Sequence, residues 1–317
     1  MQKKVKILLA LISGLVTIFG SISVLGAGVE LQGKIESAYW FPFAKDGNDS
    51  MENYLQWELR LPWTEKVTGQ VVGKLPDRGA NQVDRLYIRY FQPKYDLTLG
   101  KQPLTWGAGL FFNPADPFAP TIDPTTGEMD LAPGYSGVNV NLPLGALSQA
   151  SLFRVLERNK PVTGAVYRTN LQGTDVITAL VSGQDQVETQ LSLQLQGNAT
   201  KVGWFGQGAL QTLAQDKTRL QWVLGADYSW NNRTFVRGEL SNTTRTEDLA
   251  TGISVRYLPD DISSYSCTFL IIPGNDFWQL TPVYRTQLTE VLGARAYLNL
   301  ASNSQTTGVG LGLTYIF

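Results

Sequence analysis

From residue 29 to the end of the chain, apolar and polar residues alternate, and turn residues break the alternation roughly every ten positions. Leu55, Trp57, Leu59 and Leu61 alternate with Gln56, Glu58 and Arg60. Leu86, Ile88 and Tyr90 alternate with Arg85, Tyr87 and Arg89, and Leu191, Leu193 and Leu195 with Gln190, Ser192, Gln194 and Gln196. The last ten residues put Val309, Leu311, Leu313, Tyr315 and Phe317 on one face and Gly308, Gly310, Gly312, Thr314 and Ile316 on the other. A side-chain period of two is that of a β-strand. About eighteen such segments follow one another, from 29–40 to 306–317; the stretch 146–182 is ambiguous in register and sets about sixteen as the lower count. No amphipathic helix interrupts them.

Something must cover the apolar faces. A soluble β-sandwich would carry more Lys and Glu outside and bury tryptophan in mid-strand. Here Trp40 and Phe41, Trp63, Tyr95, Tyr228 and Trp230, Tyr257, Tyr284 and Phe317 lie toward segment ends, where two membrane interfaces would hold them. The opposite faces are polar and partly charged, as a wet lumen requires. The expected fold is therefore all-β: a transmembrane antiparallel barrel of about eighteen strands, with a lumen too wide for side chains to fill. An even strand number returns both ends to the periplasmic side.

The N-terminus fits an exported chain. Lys3, Lys4 and Lys6 precede an apolar run from Val5 to Leu25, followed by Gly26, Ala27 and Gly28. This reads as a signal peptide over residues 1–27, cleaved before a barrel over 28–317. Losing its three lysines leaves 23 basic residues against 27 acidic ones, a net charge of −4. Dispersed, near-neutral charge argues against a nucleic-acid partner. Histidine is missing, and with it the usual general base and commonest metal ligand. Cys267 is the single cysteine, so no intrachain disulfide or thiolate-rich metal site forms. Neither an enzyme nor a cofactor is expected.

One connection is far longer than the rest. Residues 103–135 form the third external loop, too long for an ordinary connection and so a functional candidate. Pro114, Pro117, Pro120, Pro124 and Pro133 stiffen it, and Asp116, Asp123, Glu128 and Asp130 make it acidic. Gly100-Lys101-Gln102, Thr105-Trp106-Gly107-Ala108-Gly109 and Asn113-Pro114-Ala115-Asp116-Pro117-Phe118 resemble the Gly-Arg/Lys-Gln…Trp-Gly…Asn-Pro-x-Asp stretch of porin-like outer-membrane families, the alginate-export-type barrels among them. The resemblance covers roughly residues 84–120, with Lys101 where arginine is commoner, and it implies a porin-like barrel without implying a substrate. The ordinal position is that of the inward-folded loop of general porins. Gly312-x-x-Tyr315-x-Phe317 in turn resembles the C-terminal signal that bacterial outer-membrane barrels present to their assembly machinery, which makes that machinery an expected partner through Phe317.

Charge on a lipid-facing strand surface costs about 2–4 kcal/mol at the bilayer midplane. Arg60, Arg85, Arg89, Arg154, Arg168, Arg219, Arg237, Arg256 and Arg295 are accordingly expected in the lumen, with Glu58, Asp227 and Glu239 partly neutralising them. An arginine wall facing an acidic loop would set a transverse field across the narrowest point. The expected function is passive diffusion of small hydrophilic, preferentially anionic solutes through the outer membrane. Arg60, Arg85, Arg89, Lys101, Trp106, Asp116, Asp123, Glu128 and Asp130 would line or constrict the pore. The competing reading is a non-conducting surface barrel that binds or helps export polysaccharide, its long loop plugging the lumen. Lipid bilayer and small solutes are the expected partners, and a homotrimer is the expected assembly, as is common among such barrels.

Overall fold

The structure, a computed structural model, describes residues 29–43, 50–76, 82–120, 132–156, 161–184, 187–213, 217–242, 249–302 and 307–317. The proposed signal peptide and Asp123, Glu128 and Asp130 lie outside the described residues. Eighteen strands follow in chain order: β1 (Glu30–Pro42), β2 (Ser50–Thr64), β3 (Val67–Pro76), β4 (Gln82–Gln92), β5 (Tyr95–Pro103), β6 (Gly134–Pro143), β7 (Ser148–Val155), β8 (Val162–Leu171), β9 (Thr174–Ser182), β10 (Val187–Ala199), β11 (Val202–Leu213), β12 (Thr218–Trp230), β13 (Thr234–Ser241), β14 (Ala250–Tyr257), β15 (Ser263–Ile272), β16 (Phe277–Gln287), β17 (Leu292–Ala301) and β18 (Gly308–Ile316). Each pairs antiparallel with the next, and β1 pairs with β18. The sheet is a closed barrel. Every backbone polar group of the wall can thus be satisfied without an edge. Gly33 and Phe317 exchange both backbone hydrogen bonds at 3.0 Å, sealing the last strand onto the first.

Alternation sorts the wall cleanly on β10. Leu191 and Leu193 are 55% and 46% exposed, whereas Gln190, Ser192 and Gln194 are 1%, 4% and 1% exposed. Leucine meets lipid; glutamine meets the interior. Short turns join strands at one end, such as 93–94 and 231–233, and the longer connections lie at the other. Short turns mark the periplasmic side of such barrels. Asn231 and Asn232 take φ of 54° and 55°, the left-handed conformation that asparagine tolerates in a tight hairpin. Outward aromatics gather at that end: Trp63, Tyr95, Tyr228, Trp230, Tyr257 and Tyr265 are all exposed.

The turn after β10 falls at Thr200 and Lys201, and Gly197 is in the strand, where its missing Cβ leaves room for the Trp204 ring. Two expectations change. Trp40 does not join the outer girdle; it faces the lumen and stacks on Tyr297 at 5.7 Å. Arg154 turns outward, as shown below.

The glycines of the final strand have a packing reason. A Cβ at Gly312 would come within 2.8 Å of Arg295 Nε, one at Gly308 within 2.6 Å of Trp40, and one at Gly310 would overlap the Tyr297 ring. Large side chains of neighbouring strands lie flat along this glycine ladder instead of projecting into the lumen. Gly310→Val should therefore misplace Tyr297 and weaken closure. The expected result is a lower yield of heat-modifiable folded barrel in electrophoresis than for the outward change Leu311→Val.

Candidate functional site

After Pro103 the chain leaves β5 and turns inward, and residues 104–120 fold within the barrel. Asp116 organises this loop. Its Oδ2 accepts hydrogen bonds from Thr105 Oγ1 (2.7 Å), the Trp106 backbone N–H (2.6 Å) and the Gly107 N–H (2.8 Å); its Oδ1 accepts from the Phe118 N–H (2.9 Å). Burial pushes this carboxyl above the usual aspartate range, and the four hydrogen bonds oppose the shift. The Asn113 carboxamide binds both backbone groups of Gly109 at 2.7 Å, and Trp106 Nε1 donates to the Ala115 carbonyl at 2.9 Å. The loop is thus a compact fold of its own, built from short-range polar contacts.

An apolar seat holds one side of it. Trp106, Phe118 and the wall residue Phe153 meet ring to ring at 5.5–6.0 Å, and Tyr135 joins Phe118 at 4.8 Å. Beneath them lie Val155, Val162, Val166, Ile177, Ala179 and Val181, the inner faces of β7, β8 and β9. Burying an aromatic side chain is worth about 1.5–3 kcal/mol, so three such rings anchor the loop firmly. A second cluster joins Phe111 and Phe112 to Phe205, Val223 and Ala250. Gly252 admits the Phe111 ring where any larger residue would overlap it.

The far side of the loop is tied to the wall by charge. Glu239 on β13 is buried and accepts from three consecutive backbone N–H groups: Leu110 (2.6 Å), Phe111 (2.9 Å) and Phe112 (3.2 Å). Successive N–H groups converging in this way form an anion nest. Arg237 pairs with Glu239 at 2.8 Å and also donates to the Ala108 carbonyl. Gln194 accepts from the Ala108 N–H at 3.2 Å, Gln190 donates to the Pro114 carbonyl at 2.9 Å, and Ser192 donates to the Ala115 carbonyl at 3.0 Å. These contacts run across β10 and β13, well round the barrel from where the loop departs.

The remaining wall is polar and charged. Glu36 on β1 is paired with Arg295 and with Lys34 (3.3 Å), and accepts from Tyr54 Oη at 2.5 Å. Arg60 pairs with Glu58 at 2.6 Å and Glu30 at 3.6 Å, its side chain about half exposed. Arg85 donates to the Ala132 carbonyl at 3.3 Å, where the long loop returns to β6. Arg89 donates to Thr98 at 3.3 Å and lies near the Tyr87 and Phe91 rings. Among the described residues, no carboxylate is ion-paired with Lys74, Arg85 or Arg89.

Arg60, Arg85 and Arg89 thus face the lumen as expected. Lys101 does not: its register partner is Leu86, exposed on the outer wall, and it continues the outward series Leu97, Leu99. Near a strand end a lysine can reach the headgroup region, which removes the cost of that placement. Trp106 and Asp116 belong to the inward-folded loop but are buried in it, 8% and 3% exposed, so they shape it from within instead of touching solute. The sequence did not single out Gln190, Ser192, Gln194 or the nest-binding role of Glu239. The lone inward acid flanked by Arg237 and Ser241 was the available signal.

No protein-family model matches the chain, and no curated relative does. Solved structures do. Pseudomonas aeruginosa OccK11 (OpdR) superposes with a TM-score of 0.65 at 13% identity, covering 91% of this chain and 96% of that one. Wzi of Escherichia coli, an outer-membrane carbohydrate-binding β-barrel involved in group 1 capsule assembly, gives 0.62 at 11% identity over 96% and 87%. A variant of the Rh. blastica porin gives 0.57 at 9% identity over 91% and 100%. The fold is that of an outer-membrane porin. With its apolar outer belt and water-compatible inner wall, the barrel belongs in the bacterial outer membrane.

Proposed function

We propose that this barrel is a channel for passive diffusion of small hydrophilic solutes, with a preference for anions. The observation that carries the proposal is the division of the lumen into two halves. The loop packs on the inner faces of β7 through β15. The opposite inner wall, from β16 through β18 and β1 to β4, carries polar and cationic side chains. There Glu30, Glu36 and Glu58 are ion-paired, while among the described residues Lys74, Arg85 and Arg89 have no carboxylate ion pair. A surplus of fixed positive charge in a narrow aqueous path concentrates anions and excludes cations. Planar-bilayer recording across a salt gradient tests it: the reversal potential should indicate anion selectivity, and Arg85→Ala with Arg89→Ala should shift it toward neutrality. Cation selectivity unaffected by the two changes would refute the preference.

A second reading keeps the same site. The similarity to Wzi, and a loop tied firmly across the lumen, also suit a barrel that binds surface polysaccharide without conducting. Liposome swelling separates the two. Entry of small sugars supports the channel, whereas intact liposomes together with glycan binding support the second reading.

A further inference from the structure

Arg154 lies on the outer wall. Its neighbours in sequence, Phe153 and Val155, are buried in the loop's apolar seat, so Arg154 shares the outward face with Leu152. Cross-strand register extends that position into a row: Arg154 pairs with Thr163, Thr163 with Ser182, and Ser182 with Thr189. All four are exposed and stand within three residues of the extracellular ends of β7, β8, β9 and β10. One rung toward the membrane centre the row becomes Leu152, Ala165, Leu180 and Leu191. Ala165 is small between two leucines and leaves a groove of about 580 Å³, lined by Leu152, Ala165 and Leu180 and bordered by Arg154, Thr163, Ser182 and Thr189.

The periplasmic end carries outward aromatics, whereas no outward aromatic stands at the extracellular ends of β7–β10 among the described residues. A guanidinium and three hydroxyls take their place, and Lys101 adds positive charge two strands away. No carboxylate is paired with Arg154 among the described residues. A guanidinium on a lipid-facing wall, above an apolar furrow and beside hydroxyl donors, complements an anionic headgroup whose acyl chain lies below it.

We propose that this face binds a phosphorylated lipid of the outer leaflet, its phosphate on Arg154 and the Thr163–Ser182–Thr189 hydroxyls and an acyl chain in the Ala165 groove. The site is separate from the lumen and does not depend on what passes through it.

The test is native mass spectrometry of the full-length barrel in detergent, titrated with an acylated glucosamine disaccharide bisphosphate and with the same lipid lacking phosphate. The unaltered protein should retain the phosphorylated lipid preferentially. Arg154→Gln should weaken that retention about fivefold, the effect of one cation at a charged membrane surface. Arg154→Lys should preserve most of it, and Ala165→Leu, which fills the furrow without touching charge, should weaken it comparably. Heat-modifiable electrophoresis confirms that each variant is folded. Equal retention of both lipids, or indifference to both Arg154→Gln and Ala165→Leu, overturns the proposal. So does a loss of dimeric or trimeric species in those variants with lipid retention unchanged, which would assign the face to contacts between copies.

Discussion

Glu239→Ala is expected to release the long loop and raise single-channel conductance, with flickering between levels in place of one steady level. The change removes the acceptor for three consecutive loop N–H groups and leaves Arg237 without its carboxylate. Hydrogen bonds to a charged group contribute about 1.5–3 kcal/mol each, and breaking a buried pair by deleting one partner costs about 3–5 kcal/mol. Each 1.4 kcal/mol is about tenfold in an equilibrium. A loss of this size moves the loop from nearly always docked to often undocked. The aromatic seat on β7–β9 would still hold the Trp106–Phe118 half, so the loop should swing about that anchor instead of leaving the lumen. Glu239→Gln keeps one acceptor oxygen and should give an intermediate conductance. Recording both variants in the same salt separates loss of the latch from a simple change of pore charge, because only undocking adds flicker.

Asp116→Ala should act on the other half of the same loop. Four donors lose their acceptor: Thr105 Oγ1 and the N–H groups of Trp106, Gly107 and Phe118. The three backbone donors are enclosed by the ring cluster and cannot all turn to water. Leaving a buried donor unsatisfied costs about 1–3 kcal/mol. The loop should lose its internal fold while the barrel, whose strand ladder does not involve Asp116, stays intact. Limited proteolysis of the purified barrel is the direct reading: cleavage within 104–120 should become fast in the variant and remain slow in the unaltered chain, with heat-modifiability unchanged in both. Resistance equal to the unaltered chain would show that the ring cluster alone holds the loop.

Much of this architecture was legible in the sequence, and the reasons for the failures are physical. Strand positions followed from alternation because a barrel wall between lipid and water enforces opposite chemistry on successive residues. The segment β10, with leucine outside and glutamine inside, is the plainest case. The long third loop announced itself by length and proline content. The inner face of β7–β9 did not, because Phe153, Val155, Val162, Val166, Ile177 and Val181 are apolar for the sake of the loop's rings. Both faces of those strands are largely apolar, so the period of two fades and the outward place of Arg154 is hidden. Lys101 continues the outward series of Leu97 and Leu99, and its place near a strand end lets its ammonium stay on the outer wall. The Glu239 nest lies 129 residues from Leu110. Backbone N–H groups leave no signature in composition, so only the folded chain brings that site together.

In the proposed channel, water fills the cylinder and a docked loop narrows it on one side. Single-channel recording of the unaltered full chain in a planar bilayer tests this most directly. Discrete, steady conductance steps that weigh toward anions in a salt gradient are expected. A bilayer that stays silent with the unaltered chain, and equally silent with Glu239→Ala, would contradict it.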